Sequence, residues 1–113
     1  MIDCIFCKIV DGVTHAEITH QAEEIIVFKS IQPRAPVHLL IIPKKHVLSI
    51  KELTEEDRNL TSSLIYTAKE VAEREHLPGY RLAFNVGRAG GQVINHLHLH
   101  LLGGWKDGEL TEV

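Results

Sequence analysis

The chain is short of most things that would narrow its class. It has two cysteines, one tryptophan, one methionine and four prolines in 113 residues. Two cysteines cannot build the multi-bridge framework of a small secreted domain. No apolar run approaches the ~18 residues that a membrane helix needs. The first residues, Met1-Ile2-Asp3, have neither a basic segment nor a long apolar stretch, so no signal peptide is expected and a cytoplasmic location is the default. The net charge is −3, without the basic excess that non-specific nucleic-acid binding requires. Neither a membrane nor a nucleic acid is therefore an expected partner. Repeats and low-complexity linkers are lacking too. What remains is a chain 44% hydrophobic and 24% charged, the composition of a globular protein. The length fits one domain spanning 1–113, able to bury roughly 65% of its unfolded surface.

The apolar pattern predicts an α+β fold. Asp3 to Gly12 reads as a short helix, with Asp3 as N-cap, Ile5, Phe6, Ile9 and Val10 as its stripe and Gly12 as its stop. Strands are expected near Glu17–Gln21 and Glu24–Lys29, and over the nearly continuous apolar run Val37–Ile42, which Pro43 ends. Thr54-Glu55-Glu56-Asp57 resembles a capping box and opens the long helix. Leu60, Leu64, Ile65, Ala68, Val71 and Ala72 recur at helical spacing, and the helix stops before Pro78-Gly79. Tyr80–Val86 and Val93–Leu102 complete five strands. Short links between neighbouring strands imply an antiparallel sheet.

Histidine is abundant, with eight residues, and three fall in His96-Leu97-His98-Leu99-His100-Leu101-Leu102. Strict alternation reads as a half-buried strand with the imidazoles on one face and Leu97, Leu99 and Leu101 facing a core. Such a row concentrates groups that bind metal or phosphate, or move protons near neutral pH. A merely polar strand face and an all-histidine metal site compete with nucleophilic and acid–base use. The flanking segment Asn85-Val86-Gly87-Arg88-Ala89-Gly90-Gly91-Gln92 favours the last. Its glycines allow a phosphate to approach main-chain N–H groups, although an ordinary tight turn explains them equally well in isolation. His38, read alone, is more simply a satisfied core histidine. Cys4-Ile5-Phe6-Cys7 is a C-x-x-C pair, open to metal binding, to redox use or to a pair of buried thiols; the redox reading lacks a βαβ context.

Taken together these segments resemble the histidine triad (HIT) family, and most closely its Hint branch of histidine triad nucleotide-binding proteins. His96–Leu102 matches the triad signature. Phe28–His38, Ile42-Pro43-Lys44-Lys45-His46 and Gly79-Tyr80-Arg81 resemble the other family blocks, over a core of about 3–104 with a short tail, 105–113. The resemblance implies a HIT-like fold that pairs into a homodimer with a continuous ten-stranded sheet. It implies hydrolysis of purine nucleoside 5′-phosphoramidates, with AMP, GMP or their phosphoramidates as ligands. His98 would be the nucleophile, forming a nucleotidyl-histidine. The carbonyl of His96 would hold its other nitrogen, and His100 and His38 would act as protonated donors to the phosphate. Phe6, Ile9, Phe28 and Ile31 would wall the base. Asn85, Gly91 and Gln92 would lie on the phosphate side. No cofactor is implied for the chemistry. Some relatives bind a structural zinc, which would here use Cys4, Cys7, His46 and His96.

Two positions depart from the family pattern. Ser30 replaces an aspartate that accepts hydrogen bonds from the ribose. Val93 replaces a Ser or Thr whose hydroxyl donates to the phosphoramidate. These departures keep two other readings open: a weakly active nucleotide-binding module working through protein partners, and a small zinc protein with a structural His row.

Overall fold

The apolar runs assemble into one five-stranded antiparallel sheet in the computed structural model, which describes residues 4–111. The chain runs α1 (Ile5–Val10), β1 (Ile18–Gln21), β2 (Ile25–Lys29), β3 (Val37–Pro43), α2 (Arg58–Arg74), β4 (Tyr80–Phe84) and β5 (Leu99–Gly103). The strand order is β1-β2-β3-β5-β4. The α+β class, the five strands, the long helix and the short N-terminal helix all agree with the sequence pattern.

Each sheet face has its own core. One face carries Ile25, Val27, Leu39, Ile41, Leu97, Leu99 and Leu101, packed under Leu60, Leu64, Ala68, Val71 and Ala72 of α2. The other carries Ile26, Phe28, Leu40 and Ile42, packed under Cys4, Phe6 and Ile9 at α1. Burial on both faces explains why β2 and β3 read as continuous apolar runs. Each such buried side chain contributes roughly 1.5–3 kcal/mol. Period two then places His38 on the α1 face with Leu40 and Ile42, and His100 joins it from β5. Leu40 pairs with His100, and His38 with Leu102, so the two histidines are diagonal neighbours across β3 and β5.

Several boundaries move. β5 begins at Leu99, not Val93, so His96 and His98 precede the ladder. Continuing the register would place Pro43 opposite Leu97. Pro43 has no N–H, and its carbonyl accepts from the His96 ring at 2.8 Å, so the ladder ends there. Leu97 N–H donates instead to Val47 O at 2.7 Å. The Leu–His alternation survives this break, because Leu97 still packs under α2. β4 ends at Phe84 rather than Val86. A turn at Glu55–Asp57 precedes α2, and Thr54 N–H donates to the Asp57 carboxylate at 3.0 Å, as a capping box should. Ile65 and Ile5, expected in apolar stripes, are 46% and 42% exposed. Asp3 lies outside the described residues; the observed cap of α1 is Cys4, whose Sγ accepts from Cys7 N–H at 3.2 Å. No helix among the described residues is long and apolar enough to cross a membrane.

Candidate active site and metal cluster

The histidines on the α1 face fall into two groups, divided by Phe6. Its ring meets His96 edge-on at 5.9 Å and His98 at 5.2 Å, and packs on Phe28 at 5.4 Å.

On one side lie His98, His100 and His38, and main-chain partners fix which nitrogen of each carries the proton. His98 Nδ1 is 2.7 Å from the His96 carbonyl, which can only accept. Nδ1 therefore holds the proton and Nε2 presents a lone pair. Arg34 N–H donates to His38 Nδ1 at 3.0 Å, so the His38 proton sits on Nε2. That N–H donates to His100 Nδ1 at 2.9 Å, which leaves the His100 proton on its outer Nε2. The chain from Arg34 through His38 to His100 ends in one neutral donor. It stands beside one neutral nucleophile, with the His98 and His100 rings 4.9 Å apart.

Burial keeps these rings uncharged. His98 is lowered from the usual imidazole range by burial, against a smaller opposing effect of its bond to His96 O. Burial lowers His38 too, helped by Arg34 and His98. His100 is pushed down to about 4, by burial and then by His98, His38 and Arg34. Burial thus disfavours, in the free protein, the protonated forms expected of His38 and His100, and the hydrogen-bond chain places His38 behind His100.

This has a consequence for pH. An imidazole that titrates lower when folded binds fewer protons than it does unfolded across the interval below its ordinary pKa. Stability is therefore expected to fall as pH drops from about 6.5 towards 4, the window of His100. Nitrogen-15 spectra should show His98 as the Nδ1–H tautomer and His38 and His100 as Nε2–H tautomers at pH 8, with His100 still neutral at pH 6. Imidazolium shifts at pH 7 would contradict this arrangement.

On the other side of Phe6 lie Cys4, Cys7, His46 and His96, whose ligand atoms all fall within 4.8 Å of one another. Cys4 Sγ and Cys7 Sγ are 3.3 and 3.5 Å from His96 Nδ1, and Cys7 Sγ is 3.1 Å from His46 Nδ1. The donor pairs of a tetrahedral zinc site stand about 3.3–3.8 Å apart, given Zn–S and Zn–N lengths of ~2.3 and ~2.0 Å. The cluster is close to that size. His96 is fully buried, and its Nε2 is held by Pro43 O, so its Nδ1 lone pair faces the thiols. The Cys7 thiol is pushed up to about 11 by burial and the neighbouring Cys4, so a bound dication would have to displace its proton. Lys45 clips the adjacent chain to the buried Asp57 at 2.8 Å.

The Gly-rich segment is built differently from the expectation. Gly90, Gly91 and Gln92 donate their N–H groups to Gly87 O, Arg88 O and Gly87 O, inside the loop. Gln92 is buried, and its side chain bridges Gly87 N–H, Leu48 O and Ile94 O. Asn85 donates to Gly90 O at 3.0 Å. These residues brace the loop, and the amides of Gly91 and Gln92 are already engaged. Val93 is 80% exposed, and among the described residues nothing occupies its N–H. Phe6, Ile9 and Phe28 are buried core, whereas Ile31 is 93% exposed in the turn after β2. Ser30 Oγ accepts from Gln32 N–H at 3.2 Å, and Ser30 N–H donates to His38 O at 3.0 Å, which ties that turn to the cluster. Arg34 and the Pro43 carbonyl escaped the sequence reading. The one signal for Arg34 is its place four residues before His38 in a turn bounded by Pro33 and Pro36.

The same architecture recurs in known proteins. A crystal structure of a HIT family hydrolase from Legionella pneumophila is 45% identical, with a TM-score of 0.89, over 92% of this chain and 95% of that one. The chain belongs to the histidine triad family. A family profile described as scavenger mRNA decapping enzyme C-terminal binding matches residues 3–111. A histidine triad nucleotide-binding protein from Candida albicans is 30% identical, with a TM-score of 0.79, over 97% of this HIT chain and 87% of its own. A Zn-bound histidine triad family protein from Mycobacterium smegmatis is 27% identical, with a TM-score of 0.82, over 96% and 80%.

Proposed function

We propose that this HIT protein hydrolyses purine nucleoside 5′-phosphoramidates through a nucleotidyl-His98 intermediate. The observation that carries the reading is the pinned tautomer of His98, a buried ring whose Nε2 presents its lone pair. Attack of Nε2 on phosphorus forms an N–P bond and breaks the bond to the amine. The amine needs a proton to leave: with the phosphate anion bound, His100 would take up a proton from solvent, pass one from Nε2 to the amine and return to the neutral ring. Water then cleaves the phosphorus–imidazole bond and restores His98. The base would rest against Phe6, Ile9 and Phe28. Ile31 would close over it, which would remove a large apolar side chain from solvent. Incubation with a fluorogenic adenosine phosphoramidate tests the reading: the amine should be released by wild-type protein. AMP binding without release would point instead to a nucleotide-binding module.

The Cys4, Cys7, His46 and His96 cluster would hold zinc. An ion with four protein ligands is closed to substrate and hence structural, pinning α1 to the chain just before β5. The homodimer would form along β4, an edge strand with Tyr80 and Leu82 38% and 39% exposed. Pairing with a second copy there would extend the sheet to ten strands.

The ribose side offers a sharp test. Ser30 supplies a neutral hydroxyl already accepting from Gln32 N–H. Ser30→Asp should tighten adenosine nucleotides more than their 2′-deoxy forms, by roughly 1 kcal/mol, the net scale of one hydrogen bond in partly exposed surroundings. Equal changes for both sugars, read by calorimetry, would show that residue 30 does not face the ribose.

A further inference from the structure

The hydrogen bonds of the imidazole cluster leave it few free donors, yet the ligand proposed for it is an anion. His98 offers a lone pair. His38 has both nitrogens engaged, by Arg34 N–H and by His100. The three rings therefore present a single unengaged N–H, at His100 Nε2. A phosphate monoester carries nearly two negative charges at pH 7. One neutral donor is a poor match for that, and the chain as a whole has a net charge of −3. A fixed positive charge near the row would supply what the histidines do not.

Arg34 is the cationic residue that the main chain ties to the row. Its main chain is part of the cluster, since its N–H holds His38 Nδ1 at 3.0 Å. Its turn is fixed at several points. Ser30 N–H bonds to His38 O, and Gln32 N–H bonds to Ser30 Oγ. Behind the turn, Gly104 has φ 90°, and a side chain there would lie 2.9 Å from Pro36. The Arg34 side chain itself is exposed. The ion pairs among the described residues join Lys29 to Glu17, Lys45 to Asp57, Arg58 to Glu55 and Lys69 to Glu73, and none engages Arg34. Its charge is nevertheless felt at His38 and at His100, where it helps to keep both rings neutral.

We infer that Arg34 is an anion-binding residue of the site, a guanidinium that takes the non-bridging oxygens of a nucleoside 5′-phosphate dianion. The inference deepens the proposed nucleotide reading and rests on it. The flat guanidinium suits two phosphate oxygens at once, and lysine would keep the charge but lose the fork. The division of labour is then simple. Arg34 neutralises the phosphate, His100 donates to it, and His98 attacks it.

Calorimetry with AMP and with adenosine tests this, on wild-type protein, Arg34→Gln and Arg34→Lys. Arg34→Gln should weaken AMP roughly 10- to 100-fold, the span of a lost charge-assisted hydrogen bond, and leave adenosine unchanged. Arg34→Lys should fall between. The salt dependence of AMP binding should be shallower in Arg34→Gln than in wild type. Unchanged AMP affinity in Arg34→Gln would overturn the inference. So would parallel loss of AMP and adenosine, which would indicate a damaged pocket. If wild-type protein binds adenosine and AMP equally, the pocket stands and the role of Arg34 falls. If it binds neither, the nucleotide reading itself has failed.

Discussion

His98→Asn is expected to lower turnover of an adenosine phosphoramidate by roughly 10³- to 10⁶-fold, the scale seen when a covalent nucleophile is removed. Asparagine is chosen for its geometry. Its side-chain NH2 can still donate to the His96 carbonyl, as His98 Nδ1–H does at 2.7 Å. His98→Ala would leave that buried carbonyl without its partner and mix a folding defect into the result. With asparagine the only chemical loss is the Nε2 lone pair. AMP should still bind, because His100 and the walls of Phe6 and Phe28 are untouched. Steady-state rates together with AMP titration separate the two effects. Near-wild-type turnover in this variant would remove His98 from the mechanism.

The second large effect is expected at the cysteines. If Cys4, Cys7, His46 and His96 share an ion, binding joins positions 92 residues apart in sequence. Metal affinity then contributes to folding stability. Cys4→Ser should release the ion and lower the thermal midpoint by about 10 °C, as a loss of ~2 kcal/mol would for a domain of this size. Turnover of the folded variant should change far less, since a four-ligand site has no open position for substrate. Elemental analysis of protein purified without a chelator or an affinity tag gives the primary readout, about one zinc per chain. No metal, freely titrating thiols and an unchanged midpoint would reduce Cys4 and Cys7 to packing residues.

Much of this arrangement was readable from the chain, and the gaps have physical causes. The alternation of Leu97, Leu99 and Leu101 with the histidines announced the buried face correctly. It could not announce where the strand starts, because that depends on Pro43 standing opposite Leu97 with no N–H to offer. The long helix was legible from its spacing and from Thr54–Asp57. Ile65 was misplaced, since periodicity assigns a face without saying how far the sheet beneath extends. His38 was ambiguous by itself and gained meaning only through the resemblance of its surroundings. The charge states of His38 and His100 were out of reach, for they follow from burial and from partners 62 residues apart in sequence. The glycines and Gln92 suggested a phosphate cradle, yet their N–H groups close on the loop itself. That outcome is a matter of backbone geometry, on which composition is silent.

The central claim is a double displacement through an imidazole, and stereochemistry at phosphorus tests it most directly. Each in-line displacement inverts the configuration. Attack by His98 followed by attack by water therefore gives two inversions. Hydrolysis of an adenosine phosphoramidothioate of known configuration in oxygen-18 water should yield product with net retention. Net inversion would mean that water attacks the substrate in one step, and it would contradict the nucleotidyl-histidine route.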